Sequence, residues 1–240
     1  MNYDLENKSI SSTNFPLPGG NNQLDHLLEQ KLFKGNRALI IGHTTTLTVK
    51  KLFEHYAGVF VISDSYDSLI NIRMNLKEIE EVRIKMMDYS HTDFDKNYFD
   101  LVFAQGSISS MERKSILKEI KRIISDDGIL SVGEIVSLKE PVAGFVKDIW
   151  ELSGLDPLPS LSVSKFYESK GFVFVGEKDL SGFLKDYYEK LSYTVSKASK
   201  EKKDENKKIF TRMKHESNAY LKLGGDKYIG FKSLILRKSN

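Results

Sequence analysis

Polar side chains follow three predicted strands, at the point where each strand ends. Asp64 comes after the second apolar run, about 20 residues beyond Gly42, where a carboxylate accepts both hydroxyls of a ribose in dinucleotide-binding folds. Asp88 and Tyr89 follow the third run, and a carboxylate beside a ring suits an adenine. Gln105 follows the fourth. Each position alone is also typical of a turn or helix cap, but together they predict a nucleoside-shaped pocket.

The loop after the first apolar run is the first place to look for a bound ligand. Residues 38–41 are wholly apolar and stop at Gly42, whose backbone freedom suits a sharp turn into a helix. The threonines between Thr44 and Thr48 can cap that helix and leave N–H groups aimed at a ligand. His43 has two interpretations. It is either a general base, because its unperturbed pKa is near neutral, or a turn residue bonded to the backbone.

Two later positions also have two interpretations each. Glu134 interrupts the fifth apolar run, and its side chain faces either the pocket or a neighbouring backbone N–H. Tyr187 and Tyr188 either line the roof of a pocket or pack in the core, since one of two adjacent residues on a helix is normally buried.

Strands and helices alternate along the chain from residue 37 onward. The predicted strands are residues 38–41, 59–62, 82–87, 99–104, 129–136, 171–177 and 228–237. The predicted helices are residues 21–34, 47–56, 66–79, 111–124, 142–152 and 161–169, with a long, mostly helical segment over 180–221. This alternation predicts right-handed βαβ units in a parallel, doubly wound sheet, with the last strand antiparallel at its far end.

The composition excludes several classes of protein. The chain has 240 residues, 40% of them hydrophobic, which is enough for one large domain with its own core. It contains no cysteine, so disulfides, thiolate metal sites and a cysteine nucleophile are excluded, and the histidines show no metal-site spacing. The net charge of +3 comes from intermixed charges and does not indicate nucleic-acid binding. No apolar stretch is long enough for a membrane span, and we expect a cytoplasmic protein.

Two segments differ from the alternating pattern. Residues 1–20 are predicted to form a flexible N-terminal arm, although Phe15 and Leu17 also allow a lid over a site. Residues 21–240 are predicted to form a single domain, in which residues 180–221 are a helical insert or lid. The charged stretch 196–208 is predicted to be a solvated helix face.

Two stretches carry a family resemblance. Residues 88–104 resemble the segment of class I S-adenosylmethionine-dependent methyltransferases that runs from an adenine-contacting Asp through the fourth strand. Residues 117–130 are similar to the helix, turn and fifth strand that follow it. Asp64, with Ser65 after it, matches the acidic ribose ligand of the family. The later chain is similar to small-molecule methyltransferases of the ubiquinone-biosynthesis type, in which an insert before the last strand roofs the substrate pocket.

The first loop departs from the family pattern Asp-x-Gly-x-Gly-x-Gly. Ile40 stands at the acidic position, and Thr44 and Thr46 stand at the second and third glycines. A β-branched residue adds bulk where the backbone approaches the methionine portion of the cofactor. The missing carboxylate is one that helps to hold the methionine ammonium group. The resemblance therefore implies an intact adenosine half of the site and an altered methionine half.

The resemblance implies a doubly wound, mostly parallel, seven-stranded Rossmann-like α/β sheet with an antiparallel C-terminal strand and a helical insert. It also implies methyl transfer from S-adenosylmethionine to a small molecule, with S-adenosylhomocysteine as the product. The implied cofactor contacts are Gly42, His43 and Thr44 at the methionine end, Asp64 and Ser65 at the ribose, Asp88 and Tyr89 at the adenine, and Gln105 at the pocket floor.

Two other functions stay open at this point. In one, the chain has kept the fold without the cofactor and acts as a binding or partner subunit. In the other it is an NAD-dependent oxidoreductase, which is disfavoured because Gly-x-Gly-x-x-Gly is absent. The sequence does not identify the methyl acceptor or a catalytic residue. The expected partners are a small-molecule substrate and a second copy of the chain in a homodimer, without nucleic acid or membrane.

Overall fold

The computed structural model describes residues 15–201 and 207–239, and of residues 199–201 and 207–209 it describes the backbone alone. Its strands are β1 (Arg37–Ile41), β2 (Gly58–Ser63), β3 (Arg83–Met86), β4 (Phe99–Gln105), β5 (Ile124–Ser137), β6 (Leu158–Pro159), β7 (Phe172–Asp179) and β8 (Ile229–Lys238). Its α-helices are α1 (Asn22–Glu29), α2 (Thr46–Phe53), α3 (Tyr66–Asn75), α4 (Arg113–Ile123), α5 (Gly144–Leu152), α6 (Val163–Ser169), α7 (Leu184–Glu201) and α8 (Lys207–Lys222).

The strands form one mixed sheet in the order β3-β2-β1-β4-β5-β8-β7, and the two-residue β6 pairs with β5 beside this path. Strands β1 to β5 pair in parallel. Strand β8 pairs antiparallel with both β5 and β7. The doubly wound, mostly parallel sheet with an antiparallel C-terminal strand is thus confirmed. The predicted position of that strand at the far end of the sheet is wrong, because β8 lies between β5 and β7, and β6 is an addition that the sequence pattern did not predict.

The apolar runs form central strands because both of their faces are covered. In β1, Leu39 and Ile41 join the hydrophobic cluster on one side of the sheet, and Ala38 and Ile40 join the cluster on the other. All four side chains are buried. Polar residues at any of these positions would face a helix layer, which explains why the strand shows no alternation. The edge strand β3, in contrast, is mostly exposed.

A third hydrophobic cluster joins helices α5, α7 and α8 to the sheet. Its buried members include Val146 of α5, Leu184 and Tyr188 of α7, Phe210 of α8 and Phe231 of β8. Helices α7 and α8 pack against each other and precede β8 in the chain. The helical segment therefore has a core of its own that continues into the carboxyl end of the sheet.

Helix α1 packs closely against the sheet. Leu24 and Leu27 are buried in the same cluster as β1. The Gln23 amide donates to the Ala104 carbonyl at 3.1 Å, and His26 Nδ1 lies 2.9 Å from Ser233 Oγ. These long-range polar contacts fix the helix across β4, β5 and β8.

Among the described residues, no helix has the length and apolar character needed to cross a bilayer.

Candidate functional site

The carboxyl ends of β1, β2 and β4 open into a cavity of about 490 Å³. Its strand-end wall is formed by His43, Ser65, Gln105, Gly106 and Ser107. This is the edge at which parallel α/β sheets place their ligands, because successive loops diverge there and leave a crevice. The cavity therefore lies where the sequence predicts the cofactor pocket, and three of the eight predicted cofactor residues line it.

The opposite wall of the cavity comes from the helical segment. Tyr187 and Leu191 of α7 and Phe210, Met213 and Glu216 of α8 line it. Tyr187 is partly buried on this wall, whereas Tyr188 packs in the core. Each of the two sequence interpretations therefore holds for one residue of the pair: Tyr187 lies at the roof of the cavity, and Tyr188 is buried in the core.

Residues 15–18 form a third wall. Phe15 contacts Phe210 with ring centroids 6.5 Å apart, and Pro18 is buried. The Gln105 side-chain amide donates to the carbonyls of Pro18 and Gly20 at 2.8 and 2.7 Å. Of the predicted flexible arm, residues 1–14 lie outside the described residues, while this part is packed over the site. Gln105 therefore holds residues 15–18 at the end of β4. This role is additional to the place at the pocket floor that the sequence predicts for it.

The turn after β1 is held tightly against the loop after β4. Gly42 has φ of +91°, and a Cβ atom on it would lie 2.6 Å from Ser107 Cβ. The Gly42 N–H donates to the Ile62 carbonyl at 2.9 Å, and the Ser107 hydroxyl donates to the Ile41 carbonyl at 2.6 Å. Glycine is required here both for its backbone angle and for this close approach.

The threonines after Gly42 start helix α2. Thr45 is the N-cap, and its hydroxyl accepts from the Thr48 N–H at 3.1 Å, as the sequence predicts. Thr44 is buried, and within the described residues its hydroxyl has no hydrogen-bond partner. Thr44 and Gly42 lie behind the cavity wall and His43 lies on it.

His43 forms a hydrogen bond with a side chain. One interpretation of the sequence predicts a hydrogen bond with the backbone instead. Its Nε2 lies 2.9 Å from the hydroxyl of Ser68 on α3. Burial lowers the pKa of His43, and the nearby Asp64 carboxylate opposes that shift. The imidazole is therefore neutral at pH 7, with a position set by Ser68.

Asp64 and Tyr89 meet, although the sequence assigned them to different parts of the cofactor. The Asp64 side chain is exposed, whereas Tyr89 is buried in the core. Burial raises the pKa of the Tyr89 hydroxyl, which is hydrogen-bonded to Asp64 and Ser63. The ring of Tyr89 therefore packs under the strand ends, and its hydroxyl shares the carboxylate that was predicted to bind the ribose.

Asp88 is not among the residues that line the cavity. Its Oδ1 accepts from the backbone N–H and the hydroxyl of Ser90 at 2.7 and 2.8 Å, and these bonds lower its pKa. The carboxylate is exposed. The structure thus brings Asp64 and Tyr89 together and places Ser65 on the cavity wall as the N-cap of α3, but it leaves Asp88 outside this group.

The loop that carries Asp88 and Tyr89 is anchored by Glu119 of α4. Glu119 Oε1 accepts from the N–H and the hydroxyl of Thr92 at 2.8 and 2.6 Å. Arg122 donates to both Glu119 oxygens, at 2.7 and 2.8 Å. Burial raises the pKa of Glu119, but the bonds from Arg122 and Thr92 outweigh it and lower the pKa to about 2. This anchor was not recognised from the sequence, where Glu119 is one charge among many on an amphipathic helix.

Glu119→Gln is expected to destabilise the protein by about 1.5–3 kcal/mol at pH 7, the range for hydrogen bonds to a charged group. Because the folded pKa is lowered, this stabilisation is present above the unfolded pKa of about 4.5 and is lost as the pH falls towards 2. Urea unfolding at pH 7 and at pH 3 measures both effects. The difference between variant and wild type should shrink at pH 3, and an equal difference at both values would contradict the ionised anchor.

Glu134 faces neither the cavity nor a backbone N–H. It is fully buried, and its Oε1 lies 2.9 Å from Arg113 Nε in a salt bridge that is itself buried. The hydroxyls of Ser109 and Tyr167 also bond to this carboxylate. Arg113 also donates to the Asp156 carbonyl. The network connects β5, the loop after β4, α4 and α6. It thereby fixes the loop after β4, which forms part of the strand-end wall.

Within the described residues, no group of three or more His, Asp or Glu side chains is arranged to hold a metal ion.

Residues 39–132 match the methyltransferase domain family. This match runs from β1 into β5 and contains all eight predicted cofactor residues. Solved structures are similar in fold to nearly the whole chain. The resemblance predicted from the sequence is confirmed to this extent: residues 39–132 match a methyltransferase domain, and the chain has the Rossmann-like fold of the methyltransferases among these structures.

Three solved structures illustrate the range of chemistry found on this fold. The [4+2]-cyclase SpnF is 20% identical, with 91% of this chain and 80% of that chain covered and a TM-score of 0.72. Phosphoethanolamine N-methyltransferase 2 from Haemonchus contortus, in complex with phosphomonomethylethanolamine and S-adenosylhomocysteine, is 17% identical, with coverage of 95% and 55% and a TM-score of 0.71. The cyclopropane synthase MmaA2 from Mycobacterium tuberculosis is 15% identical, with coverage of 90% and 83% and a TM-score of 0.72.

Among curated protein sequences, none is significantly similar to the chain. Because the three structures include a cyclase and a cyclopropane synthase, the shared fold alone does not specify the reaction. The reaction has to be inferred from the residues of the cavity.

Proposed function

We propose that the chain binds S-adenosylmethionine at the strand-end wall of the cavity and transfers its methyl group to a small molecule. The observation that carries this proposal is the cavity of about 490 Å³ between the ends of β1, β2 and β4 and the helices α7 and α8. The family match covers its strand-end wall, and the Haemonchus contortus structure holds S-adenosylhomocysteine.

The residues at the strand ends fit the cofactor. The Asp64 carboxylate is exposed beside His43 and Ser65, where it accepts the ribose hydroxyls. A carboxylate has about four acceptor positions, so the bond from Tyr89 leaves capacity for a ligand. Ser65 and neutral His43 offer further polar groups on the same wall. Gly106 and Ser107, which line the cavity next to the turn at Gly42, would hold the methionine end.

Bound S-adenosylmethionine supplies an electrophilic methyl group on a positively charged sulfur. The chain has to hold an acceptor in line with that group, exclude water and provide an apolar surrounding. Leu191, Phe210 and Met213 supply the apolar surface, and residues 15–18 cover one side. Catalysis by orientation requires no dedicated nucleophile from the protein.

The shape of the cavity supports a small acceptor. It is bounded by the strand-end wall, by α7 and α8, and by the segment that Gln105 holds in place. A volume of this size falls within the range of small-molecule and cofactor sites, about 300–1,000 Å³. A polymer substrate would need an open groove in place of the helical roof.

Asp64→Asn is expected to weaken binding of S-adenosylhomocysteine by about 10- to 150-fold, equivalent to about 1.5–3 kcal/mol for hydrogen bonds to a charged group. Isothermal titration calorimetry of wild type and variant measures this loss. Asp67→Asn is the matched control, because Asp67 is an exposed carboxylate three residues further along the chain. Tyr89→Phe should bind at least as tightly as wild type, since it removes the hydroxyl that competes for Asp64.

Equal affinity in Asp64→Asn and wild type would contradict the ribose assignment. No binding of S-adenosylhomocysteine or S-adenosylmethionine by folded wild-type protein would contradict the proposed function as a whole. That second result would favour a partner subunit that keeps the methyltransferase fold without its cofactor.

A further inference from the structure

The roof of the cavity contains a carboxylate that the proposed cofactor contacts do not use. Glu216 of α8 lines the cavity and is partly buried. Its Oε1 accepts from the Tyr188 hydroxyl at 3.0 Å, and its Oε2 accepts from the Ser153 hydroxyl at 3.3 Å. These two bonds come from α7 and from the end of α5, so the carboxylate is held from both sides. About half of its acceptor positions remain for a ligand.

Aromatic rings line the same cavity as Glu216. Phe15, Tyr187 and Phe210 line it, and Tyr187 packs on Tyr188 with ring centroids 4.8 Å apart. The faces of aromatic rings attract cations, most strongly where water is excluded. A carboxylate fixed in a cavity that three aromatic rings line suits a positively charged nitrogen.

The charges around Glu216 suit a group that exchanges a proton. Burial raises its pKa, while the bonds from Tyr188 and Ser153 and the charge of Arg212 oppose that shift. Arg212 lies one turn earlier on α8 and also lines the cavity. The other charged side chain there is Asp67, on the far strand-end wall, and His43 beside it is neutral. A carboxylate with a raised pKa is a better proton acceptor than an ordinary exposed one.

We propose that the methyl acceptor is an amine and that Glu216 binds its nitrogen. This inference rests on the proposed function. The ammonium form of the acceptor first gives one proton to the Glu216 carboxylate. The lone pair that this frees forms the new N–C bond to the methyl carbon as the S–C bond breaks, and sulfur keeps the electrons of that bond. The product is the N-methylated ammonium ion, together with S-adenosylhomocysteine and a protonated Glu216.

The test compares amines with alcohols of the same shape. Wild type saturated with S-adenosylhomocysteine is titrated with primary amines from ethylamine to 2-phenylethylamine, and with the alcohol that matches each amine. At least one amine is expected to bind ten times more tightly than its alcohol. In Glu216→Gln, which keeps the size of the side chain, an oxygen that accepts from Tyr188 and an amide N–H that can donate to Ser153 Oγ, that preference is expected to fall at least tenfold.

Two controls distinguish the amine assignment of Glu216 from the proposed binding of the cofactor. Glu216→Gln should bind S-adenosylhomocysteine within twofold of wild type, which also reports that the cavity is folded. Asp67→Asn removes the other cavity carboxylate and should keep the amine preference. An alcohol that binds as tightly as its amine throughout the series, or a preference unchanged in Glu216→Gln, would overturn the amine assignment. Failure of wild type to bind S-adenosylhomocysteine would instead overturn the proposed function.

Discussion

Glu134→Ala is expected to destabilise the protein by about 3–5 kcal/mol, the largest effect that we predict for a single residue. The substitution leaves the Arg113 guanidinium buried without the carboxylate that lies 2.9 Å from its Nε. It also removes the acceptor of the Ser109 and Tyr167 hydroxyls, and both of these residues are buried. Equilibrium unfolding in guanidinium chloride, followed by circular dichroism, measures the loss.

Glu54→Ala is the matched control for this loss. Glu54 pairs with Lys51 at 2.9 Å on the surface, where both side chains are exposed. Solvent already screens this pair, so its removal should change the unfolding free energy by less than about 1 kcal/mol. A double replacement, Glu134→Leu with Arg113→Met, removes both buried charges and should recover most of the loss. Equal stability of Glu134→Ala and Glu54→Ala would contradict a buried ion pair.

Gly42→Ala is expected to cost about 2–4 kcal/mol and to weaken binding of S-adenosylhomocysteine at least tenfold. A side chain at φ of +91° is strained, and its Cβ would overlap Ser107 Cβ at 2.6 Å. Because the Ser107 hydroxyl is bonded to the Ile41 carbonyl, relief of the overlap has to move the loop after β4. That loop forms part of the strand-end wall of the cavity.

Gly144→Ala tests whether glycine replacement as such is harmful. Gly144 begins α5, and a Cβ atom there would meet nothing within 4 Å. Alanine favours the helix over glycine, so we expect unchanged or slightly higher stability, by up to about 1 kcal/mol. Denaturant unfolding and calorimetry of both variants make the comparison. A Gly42→Ala protein that matched Gly144→Ala in stability and ligand affinity would show that the close approach at Ser107 is unimportant.

The site was only partly predictable from the sequence, because its residues are fixed by contacts between distant parts of the chain. Asp64, Ser65 and His43 were recognisable, since each follows a strand whose end the apolar pattern marks. The contact of Tyr89 with Asp64 was not recognisable, because no local pattern shows whether an aromatic ring after a strand points into the core or towards solvent. Likewise Glu216 has no signal beyond an ordinary charge on a predicted helix.

The buried polar network was equally hidden. Arg113 and Glu134 are separated by 21 residues, and Gln105 reaches back 87 residues to the Pro18 carbonyl. Side chains such as these are normally exposed, so the sequence alone favours a solvated position. Only the folded chain shows that each has a partner that makes burial possible. Phe15 and Leu17 were the sole sequence signals that the segment before α1 covers a site.

The sequence by itself determined the layers of the fold. Uniformly apolar strands such as β1, alternating with amphipathic helices, bury both faces of a parallel sheet, and this pattern is local enough to read along the chain. It also predicted the edge of the sheet at which the cavity lies. The tertiary structure alone decided which polar side chains meet there, since hydrogen bonds and salt bridges between distant segments depend on distances of a few tenths of an ångström that no sequence spacing encodes.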